Sequence, residues 1–234
     1  MERPFFSITI PTYGYNGRGV EFINHNLHLI EKQTFKDFEI IISDHSVDDT
    51  IKKVIDDFII TSKCKVTYLK CEHGRGYISP NLNNALKNSN GKYIKILFQD
   101  DFLFNEYALE NQFNVLSENP NIKWLITEFE HSNDGFTFYR HYHPSFQKNI
   151  WSGNNTLGNP SNLTILNEDL IFFDETLNWL MDCEYYYRLY LKHGYPCILN
   201  EITVVNRTHG GGLTDNTSNE LKQQELERLT SLYA

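Results

Sequence analysis

The sequence predicts an α/β fold with a mostly parallel central sheet and helices on both faces. Two observations carry this. Short apolar runs of strand length alternate with amphipathic stretches of helical period through the first 118 residues. The apolar runs are continuous rather than alternating, as in strands covered on both sides. The 234 residues, 40% hydrophobic and 14% aromatic, suit one globular domain and we read no linker or internal repeat.

The elements follow in order. FFSITI (5–10) is a strand stopped by Pro11, and residues 20–32 form a helix with Phe22, Ile23, Leu27 and Ile30 on one face. FEIIISD (38–44) is the second strand, and Ser46 or Asp48 caps the helix DDTIKKVIDDFI. KVTYLK (65–70) is the third strand, and residues 80–89 form a helix closed by Asn90-Gly91. KYIKILF (92–98) is a fourth strand ending at Gln99-Asp100-Asp101, with a helix over 105–118 behind it. The second half is less regular. We expect strands at 122–129, 162–166 and 201–207, loops and short strands over 130–160, and helices over 182–193 and from about Ser218.

Lys plus Arg is 21 and Asp plus Glu is 30, a formal charge of −9, which argues against nucleic acid and against an anionic membrane surface. No apolar run reaches the roughly 20 residues of a membrane span. The opening MERPFFSITIPTY lacks the layout of a signal peptide. Cys64, Cys71, Cys183 and Cys197 form no CxxC pair, so we expect free thiols and a cytoplasmic protein.

Open α/β sheets bind ligands beyond the carboxyl ends of their strands. Those ends carry Pro11-Thr12-Tyr13, Asp44 and Gln99-Asp100-Asp101. No GxGxxG follows the first strand, HGRGY (73–77) has the wrong spacing for one, and no GxxxxGK[ST] occurs, which argues against dinucleotide and P-loop enzymes. Asp100-Asp101 has two readings: a solvated turn, or oxygen ligands for Mg²⁺ or Mn²⁺ shared with phosphates. In Asp182-Cys183-Glu184, residues two apart cannot share a helix face. Glu184 precedes Arg188 by one helical turn and reads as its ion-pair partner. Asp182 is then either a first-turn acid or a carboxylate free to face a cleft. His209 leads a run of three glycines, which permits positive φ and close approach to a ligand; it reads as a loop residue or as a ligand to metal or phosphate.

Taken together, PTY, QTFKDFEIIISDHSVDDT, NNALKNSNGKYIKILFQDD, MDCEYYYRL and RTHGGGLT resemble glycosyltransferase family 2, whose fold is GT-A. The likeness is best over the first hundred residues and weak over 130–175. It implies a nucleotide-sugar-binding half (1–118) and an acceptor-binding half with the catalytic base (119–234). Pro11, Thr12 and Tyr13 would meet the nucleotide, Asp44 its base or ribose, with Arg75, Asn83, Gln99 and Asp100 in the donor site. Asp101 and Asp100 would hold Mn²⁺ or Mg²⁺, with His209 near the metal or diphosphate. Asp182 would be the general base of an inverting transfer, from a donor we expect to be a UDP-sugar, to a saccharide or lipid-linked saccharide. A membrane-bound acceptor would be met from the cytosolic side. Three departures stand out: Phe98 replaces the first acid of D-x-D-D, His45 the second acid of the DDGS turn, and Met181 the Glu before the base. Two other readings stay open: a metal-dependent nucleotidyltransferase, which would need a basic loop at 11–18, and a transferase-like binding domain without catalysis.

Overall fold

A computed structural model describes residues 3–209, 212 and 216–234, without the side chain of Asn16. Gly210 and Gly211 of the predicted glycine run lie outside the described residues. One eight-stranded sheet gathers strands from both halves of the chain. Its strands are β1 (Phe6–Thr12), β2 (Phe38–Asp44), β3 (Lys65–Lys70), β4 (Tyr93–Ile96), β5 (Phe102–Leu103), β6 (Trp124–Ser132), β7 (Leu163–Leu166) and β8 (Cys197–Arg207). The spatial order is β3-β2-β1-β4-β7-β6-β8-β5. β3, β2, β1 and β4 run parallel, as do β6 and β8, whereas β7 pairs antiparallel with β4 and β6, and β5 with β8. β2 lies on one side of β1 and β4 on the other, so the chain switches direction at β1 and opens a crevice beyond the ends of β1 and β4.

The apolar runs are buried because helices cover the sheet. These are α1 (Gly19–Glu31), α2 (Thr50–Thr61), α3 (Ile78–Lys87), α4 (Ala108–Glu118), α5 (Met181–His193) and α6 (Asn219–Tyr233). β1 and β2 are buried along their whole lengths. β3 is the exposed edge, begun and ended by lysines that discourage pairing with a further strand. Two apolar clusters result. One joins β1 and β2 to α1, α2 and α4; the other joins β4, β6 and β7 to α3 and α5.

Several boundaries differ from the expected ones. Pro11 does not stop β1, which runs on to Thr12. The Thr9 carbonyl accepts from Leu97 N–H on the β4 side, so Pro11 faces that side too, past the end of β4 where a missing N–H leaves no bond unmade. β4 is shorter than predicted because the chain turns out of the sheet at Phe98, whose N–H donates to Ser161 Oγ at 2.9 Å. α3 ends at Lys87, before the expected Asn90-Gly91. β8 begins four residues early, at Cys197. The 130–160 segment holds one 3₁₀ turn (Ile150–Ser152) and isolated bridges Phe129–Tyr142 and Ser132–Phe138. All four cysteines are free thiols. Among the described residues no helix is long and apolar enough to cross a membrane.

Candidate active site

A cavity of about 570 Å³ lies at the crevice beyond β1 and β4. That size suits a small-molecule ligand. Pro11, Tyr13, Gln99, Asp100, Asp101, Asp182 and His209 all line it. Four stretches far apart in sequence therefore meet beyond the strand ends.

Asp100 faces the cavity. Its Oδ2 accepts from the Tyr15 hydroxyl at 2.8 Å and lies 3.0 Å from His209 Nε2. Tyr15 Oη and His209 Nε2 are themselves 2.7 Å apart. Tyr15 holds φ 51°, a left-handed conformation uncommon for a tyrosine and typical of constrained functional loops. Burial, then the Asp100 charge, drives its phenol pKa far up, so the hydroxyl remains a proton donor.

Asp101, expected as a metal ligand, lines the cavity and places both its oxygens in internal hydrogen bonds. It is 2% exposed, and its Oδ2 accepts from Asn159 Nδ2 at 2.8 Å and Ser161 Oγ at 2.5 Å. Its Oδ1 accepts from Arg207 N–H at 2.9 Å. Burial first, then the Asp100 charge, raises its pKa. Lys95, fully buried on β4, donates to the Ser161 carbonyl, and burial pushes its pKa down to about 7 against the attraction of Asp101. Asp101 thus ties β4, β8 and the 159–161 turn together, and Asp100 presents the accessible carboxylate.

Asp182 sits in the first turn of α5 and is partly buried. Its Oδ1 accepts from Cys183 N–H at 2.7 Å and its Oδ2 from Asn155 Nδ2 at 2.8 Å. Burial raises its pKa to about 6, opposed by those hydrogen bonds. Glu184 points elsewhere: it is 3% exposed, makes a two-pronged pair with Arg188 at 2.5 and 2.7 Å, and accepts from Tyr233 Oη at 2.9 Å. The ion pair was expected, but its burial was not. The turn before α5 is held by Glu225 of α6, which accepts from the N–H groups of Asn178, Trp179 and Leu180.

Four expected donor-site residues do not line the cavity. Asp44 is fully buried and accepts from Ser46 N–H at 2.8 Å, Tyr68 Oη at 2.8 Å and Lys70 Nζ at 3.3 Å, with Thr12 Oγ1 also at 3.3 Å. Thr12 is buried beside it, because odd and even residues of β1 face opposite ways. Arg75 reaches the Ser46 carbonyl at 3.4 Å and lies 3.6 Å from Glu72. Asn83 bridges α3 to Phe173 and Glu175, a purely internal contact. In their place stand Tyr15, His45, Asn81, Asn178 and Arg207. Burial pushes the His45 pKa below the ordinary histidine value, which keeps its ring neutral. Asn81 and Asn178 each carry a buried side-chain oxygen without a partner, acceptors that a polar ligand could satisfy. Arg207 lies between the rings of Phe22 and Phe102, at 5.0 and 5.2 Å, and donates to the Asp100 carbonyl. Gln99 is a clamp: it accepts from Tyr13 N–H at 2.9 Å and donates to the Gly19 carbonyl at 2.7 Å. Gly19 has no room for a side chain, since a Cβ would stand 2.4 Å from the Tyr13 carbonyl oxygen.

The donor set around Asp100 suits a divalent cation that takes oxygen and imidazole ligands. Phe98, at the position of the missing acid, packs among apolar residues of the second cluster. One carboxylate and one imidazole from the protein would leave room on such a cation for phosphate oxygens.

No curated protein matches the chain by sequence. Among solved structures it is similar to S. aureus TarS 1–349, with TM-score 0.69, 19% identity, and coverage of 96% of this chain and 70% of that one. The same protein in complex with UDP-GlcNAc gives TM-score 0.72 at 17% identity, covering 96% and 71%. Against the longer TarS chain the coverage of that chain is 42%. The mannosyltransferase PcManGT from Pyrobaculum calidifontis, in complex with GDP-Man and Mn²⁺, gives TM-score 0.62 at 17% identity, covering 88% and 57%. These likenesses place the fold as GT-A. Residues 7–187, most of the chain, match glycosyl transferase family 2. The chain belongs to glycosyl transferase family 2.

Proposed function

We propose that the chain transfers a sugar, with inversion, from a nucleotide-diphosphate sugar to an acceptor hydroxyl. The observation that carries this is the convergence of Asp100, His209, Arg207 and Asp182 on one cavity at the topological switch point. Residues 1–118 supply most of the donor side and 119–234 the base and the acceptor side. Asp182 takes the proton from the attacking hydroxyl. Its pKa of about 6 leaves it ionised near neutrality yet more basic than an ordinary aspartate. Asn155 holds the carboxylate in place. Among the described residues the cavity's other carboxylates, Asp100 and Asp101, are engaged by Tyr15 and His209 and by Asn159, Ser161 and the Arg207 N–H, which favours direct displacement with inversion over a covalent route.

Asp100 and His209 would hold Mn²⁺ or Mg²⁺. When bound, the cation neutralises charge developing on the departing diphosphate. Arg207 adds a fixed positive charge on the same side. Tyr13, 44% exposed at the cavity mouth, offers a ring face to the nucleotide base. Asp44 acts beneath the floor, fixing Ser46 and Thr12. The neighbours' UDP-GlcNAc and GDP-Man complexes fit a nucleotide-sugar donor, and we favour a UDP-sugar, with a saccharide or lipid-linked saccharide as acceptor. Arg18, the basic residue a nucleotidyltransferase loop would need, is not in the cavity and pairs with Glu21.

The test is donor turnover, read as release of the nucleoside diphosphate, with and without Mn²⁺ across UDP- and GDP-sugars. Metal-dependent release in the parent chain and its loss in Asp182→Asn support the reading. Metal-independent release, or none with any donor, overturns it.

A further inference from the structure

We propose that Glu128, His141 and His143 form a second metal site, for a divalent cation of the zinc class, separate from the Asp100–His209 centre. None of the three lines the active-site cavity. Among the described residues they are the one group of three or more His, Cys, Asp or Glu side chains whose ligand atoms all lie within 4.8 Å of one another. His141 Nε2 stands 2.7 Å from one Glu128 oxygen, and His143 Nδ1 stands 2.6 Å from the other.

The backbone explains the convergence. The β6–β8 register shifts on both sides of Glu128, a bulge of the kind that re-aims a side chain. The chain then returns beside β6, and Phe129 and Tyr142 exchange backbone hydrogen bonds. Their rings stack at 4.7 Å on one side of this pairing. In an extended segment, residues two apart share a face. His141 and His143 therefore stand side by side on the other side, ring centroids 4.1 Å apart, both against Glu128.

The donor chemistry suits the assignment. Two imidazoles and a carboxylate leave a coordination position for water, a ligand set typical of zinc. Glu128 is 6% exposed, and among the described residues no Lys or Arg pairs with it; its ion-pair partners are the two histidines. A buried carboxylate without a fixed cation favours one that arrives. The histidine side chains are 36% and 70% exposed, so the site is open to solvent on their side. On binding, each ligating nitrogen gives up the proton it shares with Glu128: an imidazolium releases it to solvent, and a neutral ring carries its one proton on the other nitrogen. Ligand atoms around a tetrahedral zinc stand about 3.3 Å apart, so the cluster must open by roughly 0.6 Å, which the exposed histidine segment can provide. The bound cation would pin residues 141–143 to β6.

The site does not depend on the transfer chemistry, and its test needs no substrate. Zn²⁺ alone is titrated calorimetrically into chelator-treated protein, with Co²⁺ as an optical probe. We expect one saturable event of micromolar or tighter affinity that persists in Asp100→Asn. His143→Gln keeps a hydrogen-bond donor for Glu128 but loses the imidazole, and should weaken the event at least about tenfold. The double variant His141→Ala/His143→Ala should abolish it. His143 is exposed enough that the Gln variant folds. No saturable Zn²⁺ binding, an event that is indifferent to His143→Gln, or one lost in Asp100→Asn would overturn the assignment.

Discussion

Replacing Asp182 by Asn should impair catalysis while changing stability in a direction that depends on pH. Burial raises the pKa of this carboxyl from 3.8 to about 6, so the folded state holds its proton more tightly than the unfolded chain does. A group raised in this way stabilises the fold fully below pH 3.8, and its contribution is lost as pH rises through 6. Relative to that low-pH limit, ionised Asp182 costs the fold up to about 3 kcal/mol at neutral pH. The variant lacks this cost but breaks one of the hydrogen bonds to Asn155 or Cys183, worth about 1 kcal/mol. The stability of Asp182→Asn relative to the parent should therefore rise by about 1.4 kcal/mol between pH 5 and pH 7.5. Urea unfolding at the two pH values measures this. Single-turnover transfer should fall by about 10²–10⁴ while donor affinity survives, as for loss of a general base. A stability difference independent of pH would refute the raised pKa, and a fully active variant would refute the base.

Other substitutions separate neighbouring acids. Asp100→Asn should abolish metal-dependent nucleotide binding with little loss of stability, read by calorimetry with Mn²⁺. Asp101→Asn should cost about 1–3 kcal/mol in urea unfolding, because it breaks a bond to Asn159 or Ser161 in a buried network. Glu184→Gln should also cost about 1–3 kcal/mol, since the pair it breaks with Arg188 is buried, yet leave most transfer activity. Glu225→Ala should cost at least about 2 kcal/mol and slow transfer, because three backbone N–H groups before Asp182 lose their acceptor; the paired readouts are thermal unfolding and kcat.

The sheet was legible because its signal is local. Continuous apolar runs such as FEIIISD mark covered strands, and the residues after β1 and β4 fall at the switch point whatever the detailed packing. Asp100, Asp182 and His209 could be picked out for the same reason, each being a polar group just past an apolar run or in a first helical turn. Roles within the pairs were less legible. Asp100 and Asp101 are adjacent, and only the partners Asn159, Ser161 and Lys95, brought in from elsewhere, show which carboxylate is bound internally. Asp44 looked like a ligand residue at its strand end, but Tyr68 and Lys70 of the neighbouring strand enclose it. Tyr15 and Arg207 carried no spacing signal. Their place follows from a left-handed backbone at Tyr15 and from the parallel pairing of β8 with β6. Lys95 sat inside an apolar run with apolar residues on both sides, and that was the available sign of a buried polar network.

The central claim is that the cavity binds a nucleotide-diphosphate sugar together with a divalent cation held at Asp100 and His209. Calorimetric titration of UDP and GDP, each with and without Mn²⁺, into the parent chain and Asp100→Asn tests it most directly. The account predicts that at least one nucleotide binds the parent with Mn²⁺, at least about tenfold more weakly without it, and that Asp100→Asn removes the metal enhancement. Equal affinity with and without Mn²⁺, or an undiminished enhancement in Asp100→Asn, would contradict it.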